Sequence, residues 1–493
     1  MSHRTNPIDQ GRDFGSASYR GYVLFTLTAI YTLNFIDRAL LGVLAQPVIS
    51  TFGLSDAEFG FLAGPPFALF YALMGIPIAL AADRYNRVTI ISICVALWSL
   101  MTALCGLATG FLFLLIARVG VAIGEAGSTP PSNSLIGDYY RASGRVKALA
   151  IFSMGVMLGN MLAYLVGGPL GQMSDESVRT VLGLFGLGHL PEWLGWSRDY
   201  GWRFAFLALG VPGVIFAFIF WFTVREPPRG YSDPPGLPQS ERSSIQSTLR
   251  MLLAKRSYWH MTAGASLVAM AGYGFVGFQA PLMQRLHGLS PGEFALQFGV
   301  PLSIAGTAGT LLAGYVTDRL NRRTIRAVAL LPAVSLAIAA PLYIAAFNQP
   351  TSRLDLALAM WLTAALLHYG YLGAQYTIGQ GVVPASSRAS SIAIMLFIIA
   401  LVGNGLGPQI VGLLSDGFMR AALEASGAAG SLNAAACNPK AIGLLDAESQ
   451  RICAQAYAEG LQNSMSLMAL LLLPSAWCFY MSSRTLAREL LAK

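Results

Sequence analysis

The sequence predicts an all-α polytopic membrane protein of about twelve transmembrane helices in two six-helix halves. Of its 493 residues, 55% are hydrophobic and 11% charged, against about 25% charge in ordinary soluble domains, and the mean hydropathy is +0.56. Apolar stretches of about 20 residues, the length a helix needs to cross about 30 Å of hydrocarbon, recur between short polar loops. Parts of the first half return in the second. "AADRYNRVTI" (81–90) aligns with "VTDRLNRRTI" (316–325) at an offset of 235, and "RVKALAIFSMGVMLGN" (145–160) resembles "RASSIAIMLFIIALVGN" (388–404) at an offset of 243 to 244.

In chain order the spans are expected over 20–46, 57–81, 87–109, 111–138, 144–168 and 202–224, then 258–284, 293–316, 324–347, 355–380, 388–414 and 460–482. Residues 1–19 form a polar N-terminal segment without the apolar core and cleavage site of a secretory signal, so the first span is read as retained. Residues 225–257 begin "REPPRGYSDPPGLPQSERSS", a Pro-, Ser- and charge-rich linker between the halves 20–224 and 258–482, and 483–493 form a short tail. With the N-terminus inside, 22 of the 32 Lys and Arg fall in inside segments and 8 in outside ones. This bias predicts a multi-pass protein of a bacterial inner membrane with both termini cytoplasmic. The net charge of +8 then reads as topology and attraction to anionic headgroups, with no nucleic-acid partner expected.

Charges inside spans are costly and mark function by default. Asp37, Arg38, Arg118 and Glu125 are such charges, all in the first half. Asp37 lies about 25 Å along the first span and Arg118 roughly 10 Å from the outer end of the fourth, so depth allows an Asp37–Arg118 pair. Arg118 and Glu125 are two turns apart and share a face. An acid at low dielectric beside a releasable arginine is a proton switch, because burial raises its pKa and the cation lowers it. Asp37 is the first candidate and Glu125 the second, with Arg38 holding Asp37 or joining the exchange. The alternative is a static, fully paired network.

The repeated loops place Asp83, Arg84 and Arg87 in one half and Asp318, Arg319 and Arg322 in the other. They are candidate gating charges that tie helix ends in one conformation; otherwise they only fix topology. Candidate cavity residues are Asn34, Ser128, Thr129, Asn133 and Asn160 in the first half, with Pro130 and Pro131 placed to kink the fourth span below Glu125. In the second half, "GYGFVGFQAP" and "HYGYLGAQYTIGQ" offer Tyr273, Phe275, Phe278, His368, Tyr369, Tyr371 and Gln375. Taken singly, each fits core packing as well, with His368 a hydrogen-bonded interior histidine. A cavity charged on one wall and aromatic on the other suits an amphipathic substrate. Glycines of the fourth, fifth and eleventh spans serve close helix packing. The segment "VRTVLGLFGLGHLPEWLGW" (178–196) is too short to span and is expected on the membrane surface, with Trp193, Trp196 and Trp202 as interfacial anchors.

Of the five cysteines, Cys437 and Cys453 share an outside loop, where a disulfide is compatible with the compartment. The five histidines are scattered, and no Cys/His cluster, nucleotide-binding loop or H-E-x-x-H or G-x-S-x-G motif occurs. No metal, no cofactor beyond protons, no enzymatic activity and a monomer are expected.

Two parallel six-span halves with a linker describe the major facilitator architecture, and the repeated loop resembles that superfamily's signature, Gly314 standing before Asp318 while Ala79 stands before Asp83. More narrowly, "NFIDRALLGVL", "RVGVAIGEAGSTPPSNSLIGDYY" and "GWRFAFLALGVPG…TVREPP" resemble bacterial members of its Spinster family. The resemblance implies alternating access around a site between the halves, proton sensing by Asp37 and Glu125, switching by Arg118, and a lysophospholipid- or sphingolipid-type substrate. The Asp-Arg of the first span also resembles organic-anion symporters of the superfamily. A drug or metabolite exporter and a non-transporting receptor remain open alternatives.

Overall fold

Apolar sequence with few charges leaves the backbone no partner but itself in a bilayer, and the chain answers with helices throughout. The computed structural model describes residues 13–196, 199–232, 245–426 and 432–490. Residues 1–12 and 491–493 of the expected termini and 233–244 of the linker lie outside the described residues. Twelve helices among those described are long and apolar enough to cross a membrane, from Ala17–Val43 to Ala447–Glu489. The last begins well before the expected 460, its polar first turns capped by the Asp446 side chain on the Ser449 N–H.

The helices group into two compact units, residues 1–41 with 69–240 and residues 42–68 with 241–493. Each unit repeats the same departures from regular helix. In the first, the fourth span breaks between Phe111–Glu125 and Thr129–Tyr139, where Pro130 and Pro131 open the second piece; prolines at those positions cost no hydrogen bond. In the second, the tenth span breaks between Leu354–His368 and Tyr371–Gly381, at nearly the offset of the sequence repeat. The fifth and eleventh spans each carry one turn of wider π-helix, Ala163–Gly167 and Ala400–Asn404. Glycine lets neighbouring backbones meet in both units. A Cβ on Gly159 would stand 2.6 Å from the Thr32 carbonyl oxygen, and one on Gly407 2.4 Å from that of Met270.

The described parts of the linker are its two ends. Arg87, fully buried, pairs with Asp138 and with Glu226 (2.6 Å), and donates to the Ser134 hydroxyl and the Pro227 carbonyl. Asp138 in turn accepts the Gly230 N–H. Residues Ile245–Leu253 form a helix that the linker composition did not predict.

In the outside segment, Asp175–Leu184 and Leu190–Trp193 are short helices. Trp193 is 82% exposed, as an interfacial anchor should be, but Trp196 and Trp202 are buried. Both lie against the guanidinium of Arg203, at 5.4 and 4.5 Å, which donates to the Gly106 and Ala108 carbonyls at the end of the third span. Anchoring by these two is therefore corrected to packing around a buried cation.

Cys437 and Cys453 form a disulfide inside a small core with Met419, Leu423, Leu432 and Ala456. Asn438 beside it donates to the Gly53 carbonyl at 2.7 Å. Closing a loop of this length stabilises by about 3 kcal/mol. Cys453→Ser is expected to lower the melting temperature and to expose the 432–446 loop to proteolysis before the spans unfold; a melting curve and fragment pattern identical to the parent's would contradict this.

Candidate functional site

The first unit gathers its intramembrane charges at the break in the fourth span. Glu125 is the last residue of Phe111–Glu125 and is fully buried. Arg38 donates from Nε to Glu125 Oε2 at 2.5 Å, and its guanidinium lies over the rings of Tyr71 (4.6 Å) and Phe35 (5.2 Å). Asp37 is 4% exposed, with Thr102, Arg118 and Glu125 as its neighbours. Arg118 is buried alongside, as two residues seven apart on one helix face must be. Arg38 and Glu125 thus form an ion pair here. Tyr71 had no signal in the sequence beyond being aromatic.

Asn34, one turn before Asp37, is buried beside Glu125. Ser128 is fully buried with no hydrogen-bond partner for its hydroxyl. Thr129 and Asn160 are half-buried and Asn133 is exposed.

In the second unit His368 is buried in an aromatic ring of Tyr369 (5.0 Å), Tyr343 (5.8 Å), Tyr371 (6.2 Å) and Phe275 (6.5 Å). Its Nδ1 has no hydrogen-bond partner, contrary to the expected hydrogen-bonded histidine, because the helix break at 369–370 surrounds it with rings. Phe278 is fully buried against Phe59 and Phe275 is buried and packs on Tyr343 and Phe347. Gln375 is buried with Oε1 unpartnered. Tyr273 is 38% exposed and Tyr369 half-buried, its ring occupying the space that a side chain at Gly306 would take.

The gating charges differ between copies. Arg87 is locked in the network above, whereas its counterpart Arg322 makes an exposed pair with Asp318 at 3.5 Å. The position matching Asp138 in the second half is Gly381, so no acid is there to bury it. Asp83 and Arg84 are exposed, and Arg319 stands beside the Asp318–Arg322 pair.

A second buried charge cluster is not evident from the sequence, in which the charges inside spans are nearly all in the first half. Arg285 donates from both terminal nitrogens to Asp56, each at 2.7 Å, and from Nε to Gln46. The Ser415 hydroxyl donates to Asp56, while Asp416 accepts the N–H groups of Asp56 and Ala57. All belong to the second unit. Each of the charged members sat at or just past an expected span end, where charge is ordinary. The available signal was "SDAE" before an apolar run, the pattern of the capping box that Ser55 and Glu58 form.

The description Major Facilitator Superfamily matches residues 27–408. The chain belongs to that superfamily. A crystal structure of a bacterial homologue of the human lysosomal transporter Spinster, inward-facing and unoccupied, is 46% identical with a TM-score of 0.90, covering 97% of this chain and 100% of that one. An MFS-type efflux pump of Mycolicibacterium smegmatis is 30% identical over 79% of this chain and 83% of its own. Human protein spinster homolog 1 is 25% identical over 81% of this chain and 73% of its own. This superfamily member is thus a multi-pass integral membrane transporter with Spinster-like homology, as the sequence motifs implied.

Proposed function

We propose that this superfamily member is a proton-linked secondary transporter, working by alternating access, for an amphipathic lipid-like substrate of the lysophospholipid or sphingolipid type. The observation that carries this reading is the group of buried Asp37, Arg118 and Glu125 with the part-buried Arg38. It sets two acids against two arginines at a helix break, so one proton on either acid changes which pairing is most favourable. The Arg38 guanidinium lies over Tyr71 and Phe35 while it pairs with Glu125, and keeping those contacts lowers the cost of releasing Glu125. Tyr273 and the half-buried Tyr369 supply aromatic surface, and Gln375 a hydrogen-bonding oxygen, for an acyl chain and a polar head. Export is favoured over uptake by the similarity to the mycobacterial efflux pump.

The test is a pH titration of inter-spin distances in protein labelled near both ends of the spans, with Asp37→Asn and Glu125→Gln alongside the parent. A pH-driven shift that the substitutions abolish or lock supports proton coupling. A parent that does not respond to pH sinks it and leaves a uniporter or a receptor.

A further inference from the structure

Where the eighth span ends in the second unit, Tyr315, Val316, Arg319, Leu320 and Arg323 line a depression. Tyr315 and Arg319 lie four apart on one face of the helix Val300–Asn321, and Arg323 follows in the turn just past its end. The same face carries exposed apolar side chains back into the span: Ile304 at 56%, Leu311 at 71% and Tyr315 at 65% exposure. That stripe is roughly 17 Å long. Asp318 is engaged by Arg322, and among the described residues neither Arg319 nor Arg323 has an ion-pair partner.

We propose that this depression binds the phosphate of an anionic membrane phospholipid, whose acyl chain lies along the Ile304–Leu311–Tyr315 stripe. Two arginines line the one depression, and a guanidinium matches the planar, bidentate geometry of phosphate oxygens. Their combined charge exceeds the partial negative charge of the helix C-terminus, roughly half a unit. The ligand must also be apolar at its other end, because the stripe belongs to a membrane span, and a tyrosine at the junction suits the headgroup level. The repeated loop itself does not demand the site. The first-half positions matching Tyr315, Arg319 and Arg323 are Leu80, Arg84 and Val88, so the second copy alone has the paired arginines. The proposal is independent of what the protein carries.

The experiment incubates delipidated protein with detergent micelles containing phosphatidylglycerol or phosphatidylcholine, or with inorganic phosphate alone, and counts bound lipid by native mass spectrometry. The parent retains phosphatidylglycerol over phosphatidylcholine, and an Arg319→Gln/Arg323→Gln double variant loses that retention by on the order of tenfold. Arg326→Gln, a neighbouring arginine outside the depression, retains it. These surface substitutions leave the core intact, and an unchanged melting curve verifies that. Equal retention by parent and double variant, or no preference for the anionic lipid, overturns the proposal. Displacement of phosphatidylglycerol by millimolar inorganic phosphate overturns the lipid source and assigns the depression to a free phosphate.

Discussion

Asp37→Asn is expected to reduce proton-gradient-driven transport by at least about tenfold, a change of about 1.4 kcal/mol or more in coupling, with the protein still folded. Asparagine keeps the size of the side chain and its capacity to face Thr102, but it cannot exchange a proton. The buried Arg118 beside it then has one fewer charge to follow. The measurement is accumulation of a fluorescent lysophospholipid in proteoliposomes under an imposed pH gradient, compared with exchange of the same lipid without a gradient. Loss of accumulation with exchange preserved is the signature of broken coupling. Loss of both, together with a lower melting temperature, would instead identify Asp37 as part of a static network. Glu125→Gln is expected to be milder in stability than a lone buried arginine would suggest, because Arg38 retains its ring contacts with Tyr71 and Phe35.

Arg285→Gln should be the most destabilising single change outside the proton group. It leaves Asp56, fully buried, facing Asp416 with no cation, and breaking a buried pair from one side costs about 3–5 kcal/mol. Asp56→Asn strands Arg285 in the same way. The double variant Asp56→Asn/Arg285→Gln should recover much of the loss, since neither charge is then buried alone. Thermal melting in detergent and the reactivity of a cysteine placed at Gln46 read the outcome. Recovery in the double variant with Gln46→Cys protected supports pairing as the source of the stability. Additive losses would show that the side chains act through separate contacts. The position of the pair also bears on mechanism: it fastens residues 42–68, which the sequence repeat assigns to the first half, to the unit built from the second half.

The fold was largely written in composition and spacing. A hydrocarbon environment forces every backbone group to pair within its own helix, so long apolar stretches admit one local structure, and a repeated loop then dictates two related halves. Asp37, Arg118 and Glu125 stood out for the same reason: charge inside an apolar run is costly, whether it serves a switch or a static network. Partners were not legible. Which acid Arg38 pairs with depends on helix azimuth, which a list of residues does not contain. Arg87 and Arg322 occupy equivalent places in the repeat, yet only Arg87 is buried, because Asp138 and Glu226 arrive from distant parts of the chain. Asp56, Arg285 and Asp416 read as ordinary span-end charges until packing brought them together. What the sequence determined was where helices must form and which charges sit inside them; the tertiary structure decided which charges meet, since pairing depends on the few ångströms and degrees that only helix packing sets.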